Sequence, residues 1–369
     1  MLELHVLGTS SARPCHGRSV SGNVVNTPAG TILVDAGEGI QQRITAQSKA
    51  LKAAGFQSRT RASKIRVVLL THGHLDHCWG LLPLLHTMAL DGRREPLTII
   101  APTTVSALTA YAANPQAPLP IDTEISRTDC ARLFQQWSEL GASQEILGYP
   151  VDWVLIPVDE EDIPALLQPL DGVELVALST RHNVPSCGWQ IRIPARPGTF
   201  DRQQADRLGL STSEISRLAQ GEDIEHAGAA LSASGFRGPD KQAISIILSG
   251  DTAGDVPVFT SDRIAGPINL LLHEATFTSD NEEKANLYMH STAADAGRAA
   301  AAMGAQHLAL NHFSGRLLDL TQTLAEATAE HAATVACHEG DLFRVNMDGC
   351  VTYLHRKQDE WVETAFASE

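Results

Sequence analysis

Six consecutive residues, His72-Gly73-His74-Leu75-Asp76-His77, hold four side chains able to ligate a metal. Imidazole nitrogens and carboxylate oxygens are the usual protein ligands of Zn²⁺ and related divalent ions. A lone histidine is normally a surface residue or a satisfied core residue. A cluster this dense points instead to a metal site. A metal that keeps a position open to water supplies a nucleophile near neutral pH, so the chemistry on offer is hydrolysis.

The cluster needs a rigid support, and the residues before it provide one. Ile65–Leu70 is an almost wholly apolar run, as expected for a strand buried on both faces. A loop leaving its end can turn alternate side chains into one pocket. Elsewhere Leu2–Leu7 reads as a first strand. Gly22–Thr27 and Thr31–Asp35 read as a hairpin, with a helix from about Ile40 to Ala54. A helix is expected over Trp79–Leu90 and strands at Leu97–Ile100, Val151–Val158, Val173–Leu178 and Trp189–Ile193. The apolar runs Ala243–Leu248 and Ile268–Leu272 each end in a polar cluster, and a strand is expected at His307–Leu310. Helices are expected at Thr292–Met303 and Leu317–Ala333, with closing strands at Val335–Cys337 and Cys350–Leu354. Sites in layered α/β architectures assemble at the strand edge where such clusters fall. Asn114–Gly148 reads as a helical insertion, Ala195–Gly238 as an irregular protruding arm, and residues 356–369 as a polar tail that frays.

Composition bounds the class. Of 369 residues, 43% are hydrophobic and 19% charged, enough to bury a large core. A net charge of −15 argues against a protein that coats nucleic acid non-specifically. The six cysteines form no C-x-x-C pair, so free thiols in a reducing cytoplasm are expected. The first residues read as a strand, not a signal peptide, and no apolar run is long enough for a membrane span.

The H-x-H-x-D-H cluster resembles the signature of the metallo-β-lactamase superfamily, and further motifs resemble its ribonuclease Z branch. Leu7-Gly8-Thr9-Ser10 and Asp35-Ala36-Gly37-Glu38-Gly39-Ile40-Gln41 are similar to that branch's opening segments. Gly80–Leu85, Thr87-Met88 and Gly92-Arg93…Pro96-Leu97 resemble the stretch after its metal motif. His182-Asn183-Val184-Pro185-Ser186, Ser249-Gly250-Asp251-Thr252 and His273-Glu274-Ala275-Thr276 follow in the family's order. So do His290-Ser291-Thr292 and Asn311-His312-Phe313-Ser314-Gly315-Arg316. The resemblance spans Leu2 to Arg316. It implies one four-layer αβ/βα sandwich over residues 1–369, with the arm at 195–240 as an insertion. It also implies a cytoplasmic homodimer acting on precursor tRNA, from which the family removes 3′ trailers.

The roles follow from the resemblance. One metal falls to His72, His74 and His182, a second to Asp76, His77 and His312, with Asp251 between them. Zn²⁺ is the expected ion, and Mn²⁺ or Fe²⁺ would suit the same ligands. Asp76 is placed to accept the water's proton. Glu274 and His290 form either the acid that protonates the leaving oxygen or a structural pair. Asp35 and Glu38 either accept a ligand histidine's N–H or cap the helix near Ile40. Arg316 is either a substrate-phosphate contact or an exposed structural arginine.

Three positions depart from the family. Leu82-Pro83-Leu84 replaces a proline-glycine loop associated with the substrate's 3′ end, and Leu317 replaces a tyrosine. Residues 191–240 carry six arginines against seven acids, where the family's tRNA-gripping arm is basic. Three functions are therefore on offer. They are a tRNA 3′-endonuclease, a hydrolase of a smaller phosphodiester, cyclic nucleotide or other ester, and a non-catalytic metal-binding scaffold. The scaffold predicts a lost ligand, and none is missing.

Overall fold

The computed structural model describes residues 1–115, 117–159, 166–254 and 264–366. Its strands, in chain order, are β1 Leu2–Gly8, β2 Gly22–Thr27, β3 Gly30–Val34, β4 Ile65–Leu69, β5 Leu97–Thr103, β6 Val151–Pro157, β7 Leu167–Leu170, β8 Val173–Ser179 and β9 Cys187–Ile193. Then come β10 Ile224–His226, β11 Ala229–Leu231, β12 Ile244–Leu248, β13 Leu270–Glu274, β14 Leu308–Asn311, β15 Thr334–Ala336, β16 Leu342–Val345, β17 Val351–Lys357 and β18 Glu360–Thr364. One sheet runs β18-β17-β16-β1-β2-β3-β4-β5-β6 and the other β15-β14-β13-β12-β9-β8-β7. Pairing is parallel from β3 to β6 and from β12 to β15, so these strands end at a common edge of their sheets.

The apolar runs are explained by what lies on each side of them. In β4, Val67 and Leu69 enter a core between the two sheets, where they join Trp189, Ile246 and Leu270. Ile65 and Val68 face the other way, against helices Ile40–Ala53 and Leu81–Leu90. In β13, Leu270 and Leu272 face the inter-sheet core, while Leu271 packs with the small face of helix Ala293–Met303. Strands covered on both faces must be apolar throughout, and the stack is helix, sheet, sheet, helix. Among the described residues no helix is long and apolar enough to cross a membrane.

Several expectations change. The helix expected over Trp79–Leu90 begins at Leu81, and a separate short helix, Leu75–Cys78, carries Asp76 and His77. The break falls where Gly80 packs its backbone on Ala36, its N–H bonding that carbonyl at 2.7 Å. The helix expected over Leu317–Ala333 is confined to Thr321–Glu330, because Asp319 accepts the Thr321 N–H and starts it late. Over its described part the tail does not simply fray: Glu360–Thr364 pairs antiparallel with β17, and residues 367–369 lie outside the described residues. Trp361 anchors it, with its indole N–H bonded to the Gly340 carbonyl at 2.8 Å and its ring against Phe56.

The segment read as irregular between Ala195 and Gly238 holds helices Arg202–Arg207 and Thr212–Ala219 and the β10–β11 hairpin. Ser211 and Glu214 form a capping box on the second helix. Ala205, Ile215, Leu218, Ile224 and Phe236 make a small core belonging to this segment alone. Its neck is the antiparallel bridge between Arg196 and Lys241.

Candidate metal centre

The strand edges bring the sequence motifs together. The β4 loop contributes His72, His74, Asp76 and His77, the β8–β9 loop His182, and the turns after β12 and β14 Asp251 and His312. Gly73 lets the β4 loop pack tightly, since a Cβ there would lie 1.8 Å from the Thr128 carbonyl. Gly250, at φ +62°, gives the reversal that turns Asp251 inward.

Two sets of ligand atoms result. His72, His74, His182 and Asp251 form one, and Asp76, His77, Asp251 and His312 the other. In the first, His74 Nδ1 lies 2.9 Å from His72 Nε2 and 3.2 Å from His182 Nε2. Asp251 Oδ2 is 3.7 Å from His72 Nε2 and 3.8 Å from His182 Nε2. In the second, His77 Nε2 and His312 Nε2 are 3.2 Å apart. Asp76 Oδ2 lies 3.6 and 3.5 Å from them, and Asp251 Oδ1 3.3 and 3.4 Å. Asp251 thus presents one oxygen to each set.

This arrangement fits divalent ions better than it fits protein hydrogen bonding. The His182 Nδ1–H donates to the Met289 carbonyl at 2.9 Å, so its Nε2 carries a lone pair. His77 Nδ1 lies 2.7 Å from Asp35 Oδ2, which leaves Nε2 of that ring facing the site. His312 Nδ1 meets the Thr276 hydroxyl at 3.0 Å. Lone pairs therefore converge on one another, and the buried Asp251 Oδ1 has no hydrogen-bond partner. Ligands about 2.1 Å from a tetrahedral ion sit about 3.4 Å apart, close to the spacings seen.

At His72 and Asp76 the electrostatics agree, whereas at His77 burial is outweighed by Asp251, Asp35 and Asp76, which hold its pKa well above the ordinary range, so an ion binding there displaces a proton. Burial and the neighbouring His77 hold His72 well below the ordinary imidazole range, although Asp251 pulls the other way. Burial opposes ionisation of Asp76, but His77 and His312 outweigh it and keep its carboxyl well below the usual range. Both residues are in the state a metal requires.

The supporting groups lie one step outside. Asp35, at φ +60°, takes the Thr71 N–H on one oxygen at 2.8 Å and holds His77 with the other. The Thr71 hydroxyl is 3.1 Å from His72 Nδ1. Glu38 does not join them. Its side chain is exposed and makes no hydrogen bond among the described residues, because the chain turns outward at Gly39 (φ +75°). Neither acid caps the helix at Ile40, which has no side-chain cap.

Glu274 and His290 stand beside the second set. Glu274 Oε1 lies 2.9 Å from His290 Nδ1 and also accepts the Thr252 N–H at 2.8 Å. Burial depresses the His290 pKa, but Glu274 more than offsets this and it is pushed up to about 9. His74, Asp76, His182, Asp251, His290 and His312 line the floor of a cleft of about 520 Å³. Arg316 is exposed at its rim. Sequence reading missed Thr71, Thr276, the Met289 carbonyl and the Ala12 N–H, which bonds Asp76 Oδ2 at 2.8 Å. Hydroxyls and backbone groups have no sequence signature. The only hint was that Thr71 adjoins the histidine cluster and Thr276 closes the His273–Thr276 motif.

Fold and site together define a metal-dependent hydrolase of the metallo-β-lactamase superfamily, whose model matches residues 17–183. The chain belongs to the ribonuclease Z family, and the enzyme is a hydrolase of the endoribonuclease type. It is 30% identical over 342 residues to a ribonuclease Z from Halobacterium salinarum, covering 92% of this chain and 96% of that one. A ribonuclease Z from Methanosarcina acetivorans is 27% identical over 320 residues, 86% of this chain and 90% of the relative. Human short-form tRNase Z shares the fold at a TM-score of 0.55 and 20% identity, covering 93% of this chain and 99% of that one. So does YhfI from Bacillus subtilis, at 0.56 and 15%, covering 92% and 98%.

Proposed function

We propose that the protein removes 3′ trailers from precursor tRNA, as a phosphodiesterase with two divalent ions, most simply Zn²⁺. The observation that carries this reading is the pair of ligand sets sharing Asp251, with the Glu274–His290 pair beside them. His72, His74 and His182 would hold one ion and Asp76, His77 and His312 the other. The ions, when bound, supply a nucleophile near neutral pH and offset the negative charge that grows on phosphorus.

The chain's own residues do the rest. Asp76 accepts a proton from the attacking water at its carboxylate. Asp35 fixes the His77 ring through Nδ1, and Thr276 fixes His312. His290, oriented by Glu274, gives its proton to the departing 3′ oxygen. Arg316 at the rim meets a substrate phosphate.

We place residues 195–240 as an arm that touches the substrate away from the cut, on a single sandwich domain. A homodimer is the family's arrangement. A reducing cytoplasm suits the six free thiols.

One observation favours a smaller phosphodiester as the substrate. Two of the arm's arginines are spent on its own acids, Arg202 on Asp206 and Arg217 on Glu222, each at 2.9 Å. That leaves little charge for an RNA backbone. The test is cleavage of a 3′-extended precursor tRNA by the metal-loaded protein, beside Asp76→Ala and beside bis(p-nitrophenyl) phosphate. Cleavage after the discriminator base, lost in Asp76→Ala, is the expected result. Hydrolysis of the diester with the tRNA intact would hand the site to the smaller substrate.

A further inference from the structure

The cleft over the metal centre has two chemically different sides. One is built from residues 11–13 and 314–316, tied together where the Ser11 N–H bonds the Phe313 carbonyl at 3.0 Å. It carries Arg13 and Arg316, both exposed and neither in an ion pair among the described residues. In a chain of net charge −15, this side of the cleft therefore gathers two uncommitted guanidinium groups. The other side is built from Asn183, Phe277, Tyr288 and His290. It is tied to the metal floor by the His182–Met289 bond and by the Phe277–His290 ring contact, centroids 6.1 Å apart.

Tyr288 is the unexplained group on that side. It ends helix Glu282–Tyr288, and Met289 reverses the chain immediately after it in the left-handed region, at φ +55°. Tyr288 is therefore held next to the residue whose carbonyl orients His182. Yet the residue is 53% exposed, and its hydroxyl makes no hydrogen bond among the described residues. Packing gives this aromatic no reason to stand in the cleft.

We infer that Tyr288 is a stacking platform for a nucleobase next to the scissile phosphate. The inference rests on the phosphodiesterase reading and adds the recognition of a base to it. A nucleotide is anionic at its phosphate and flat and apolar at its base, and the two sides of the cleft match that division. Arg13 and Arg316 meet flanking phosphates, and the base lies on the Tyr288 ring. Stacking of this kind tolerates any base, because every base has a π-face. Tyr288 is thus a positioning residue that favours nucleosidic diesters over plain ones.

The test compares two substrates of the metal-loaded, full-length protein: thymidine 5′-(p-nitrophenyl) phosphate and methyl p-nitrophenyl phosphate. The first has a base and the second has none. Wild-type protein is expected to prefer the nucleoside diester in kcat/KM. In Tyr288→Leu the preference falls about tenfold, through KM, and in Tyr288→Phe it is retained. A variant that misfolds or loses metal slows both substrates together and leaves the ratio alone, so an unchanged ratio in Tyr288→Leu overturns the inference. Absence of any preference in the wild type does the same. A parallel assay on precursor tRNA separates the two ideas. An intact precursor with a Tyr288-dependent preference refutes the tRNA reading and supports the base platform. Precursor cleavage without that preference does the reverse.

Discussion

At the scale of single residues, the centre depends on groups that never reach a metal. His77 can present Nε2 to the site only while Asp35 holds its other nitrogen, and Asp35 itself sits at φ +60°, a conformation costly for most residues. His312, Met289 and Ala12 share that left-handed backbone, and each makes a hydrogen bond that shapes the site. Four of the seven non-glycine residues with positive φ among the described residues thus stand at the site. Asp35→Ala is therefore expected to weaken metal binding 10- to 100-fold, measured by competition with a chelator, although Asp35 touches no ion. Unaltered affinity would mean that the loop alone fixes His77. Gly73→Ala acts on the same loop by another route. Its new methyl must displace the Thr128 carbonyl, so thermal unfolding should show a loss of about 1–3 kcal/mol. A stability equal to wild type would show that the loop has slack.

At the scale of elements, one buried acid ties three strands of the larger sheet. Glu3 on β1 bonds His5 on its own strand at 2.9 Å, Asn26 on β2 at 3.3 Å and Arg344 on β16 at 2.8 Å. Burial alone would raise its pKa, but these partners outweigh burial and lower it to about 2. A carboxyl depressed in the folded state adds stability that is present above its unfolded pKa of about 4.5 and lost as the pH falls toward 2. The full contribution is about 3 kcal/mol. The melting temperatures of wild type and Glu3→Gln should differ most near neutral pH and converge as the pH falls below about 4.5. A gap independent of pH would show that Glu3 acts through packing and not through charge.

The same scale explains what could be read in advance. β4, β12 and β13 were legible because strands covered on both faces must be apolar, and the polar clusters at their ends marked the site. The dense cluster at His72–His77 was legible because imidazole and carboxylate have few other reasons to crowd together, whereas His182, Asp251 and His312, scattered along the chain, were legible only through the family resemblance; the structure brings all seven side chains together. β18 was not, since its residues are polar and it is held by one tryptophan against Phe56 and Gly340. The failed expectation for Glu38 has a related cause: its spacing from Asp35 says nothing about the outward turn at Gly39.

At the scale of the whole molecule, the sandwich and the arm are separable by construction. The arm's apolar cluster contains no residue of the two-sheet core. It joins the sandwich through the Arg196–Lys241 pair, whose reciprocal backbone bonds of 3.0 and 2.9 Å bring the two ends side by side. A two-residue hairpin turn can close such a neck. Replacing residues 197–240 by Asn-Gly should therefore leave the melting temperature within a few degrees of wild type and leave the metal content unchanged. Turnover of bis(p-nitrophenyl) phosphate should persist, because no cleft residue lies in the excised stretch. If the arm grips the substrate away from the cut, KM for precursor tRNA rises roughly tenfold or more, the equivalent of about 1.4 kcal/mol of lost binding. The near-neutral charge of the arm makes a further demand. Whatever binding it supplies should be less dependent on salt than a basic clamp, so the KM difference between the two proteins should hold as ionic strength rises. A difference that vanishes in moderate salt would instead assign the contact to Arg207 and Arg237, the excised arginines outside the arm's ion pairs. An armless protein that processes tRNA as well as the wild type would confine recognition to the cleft.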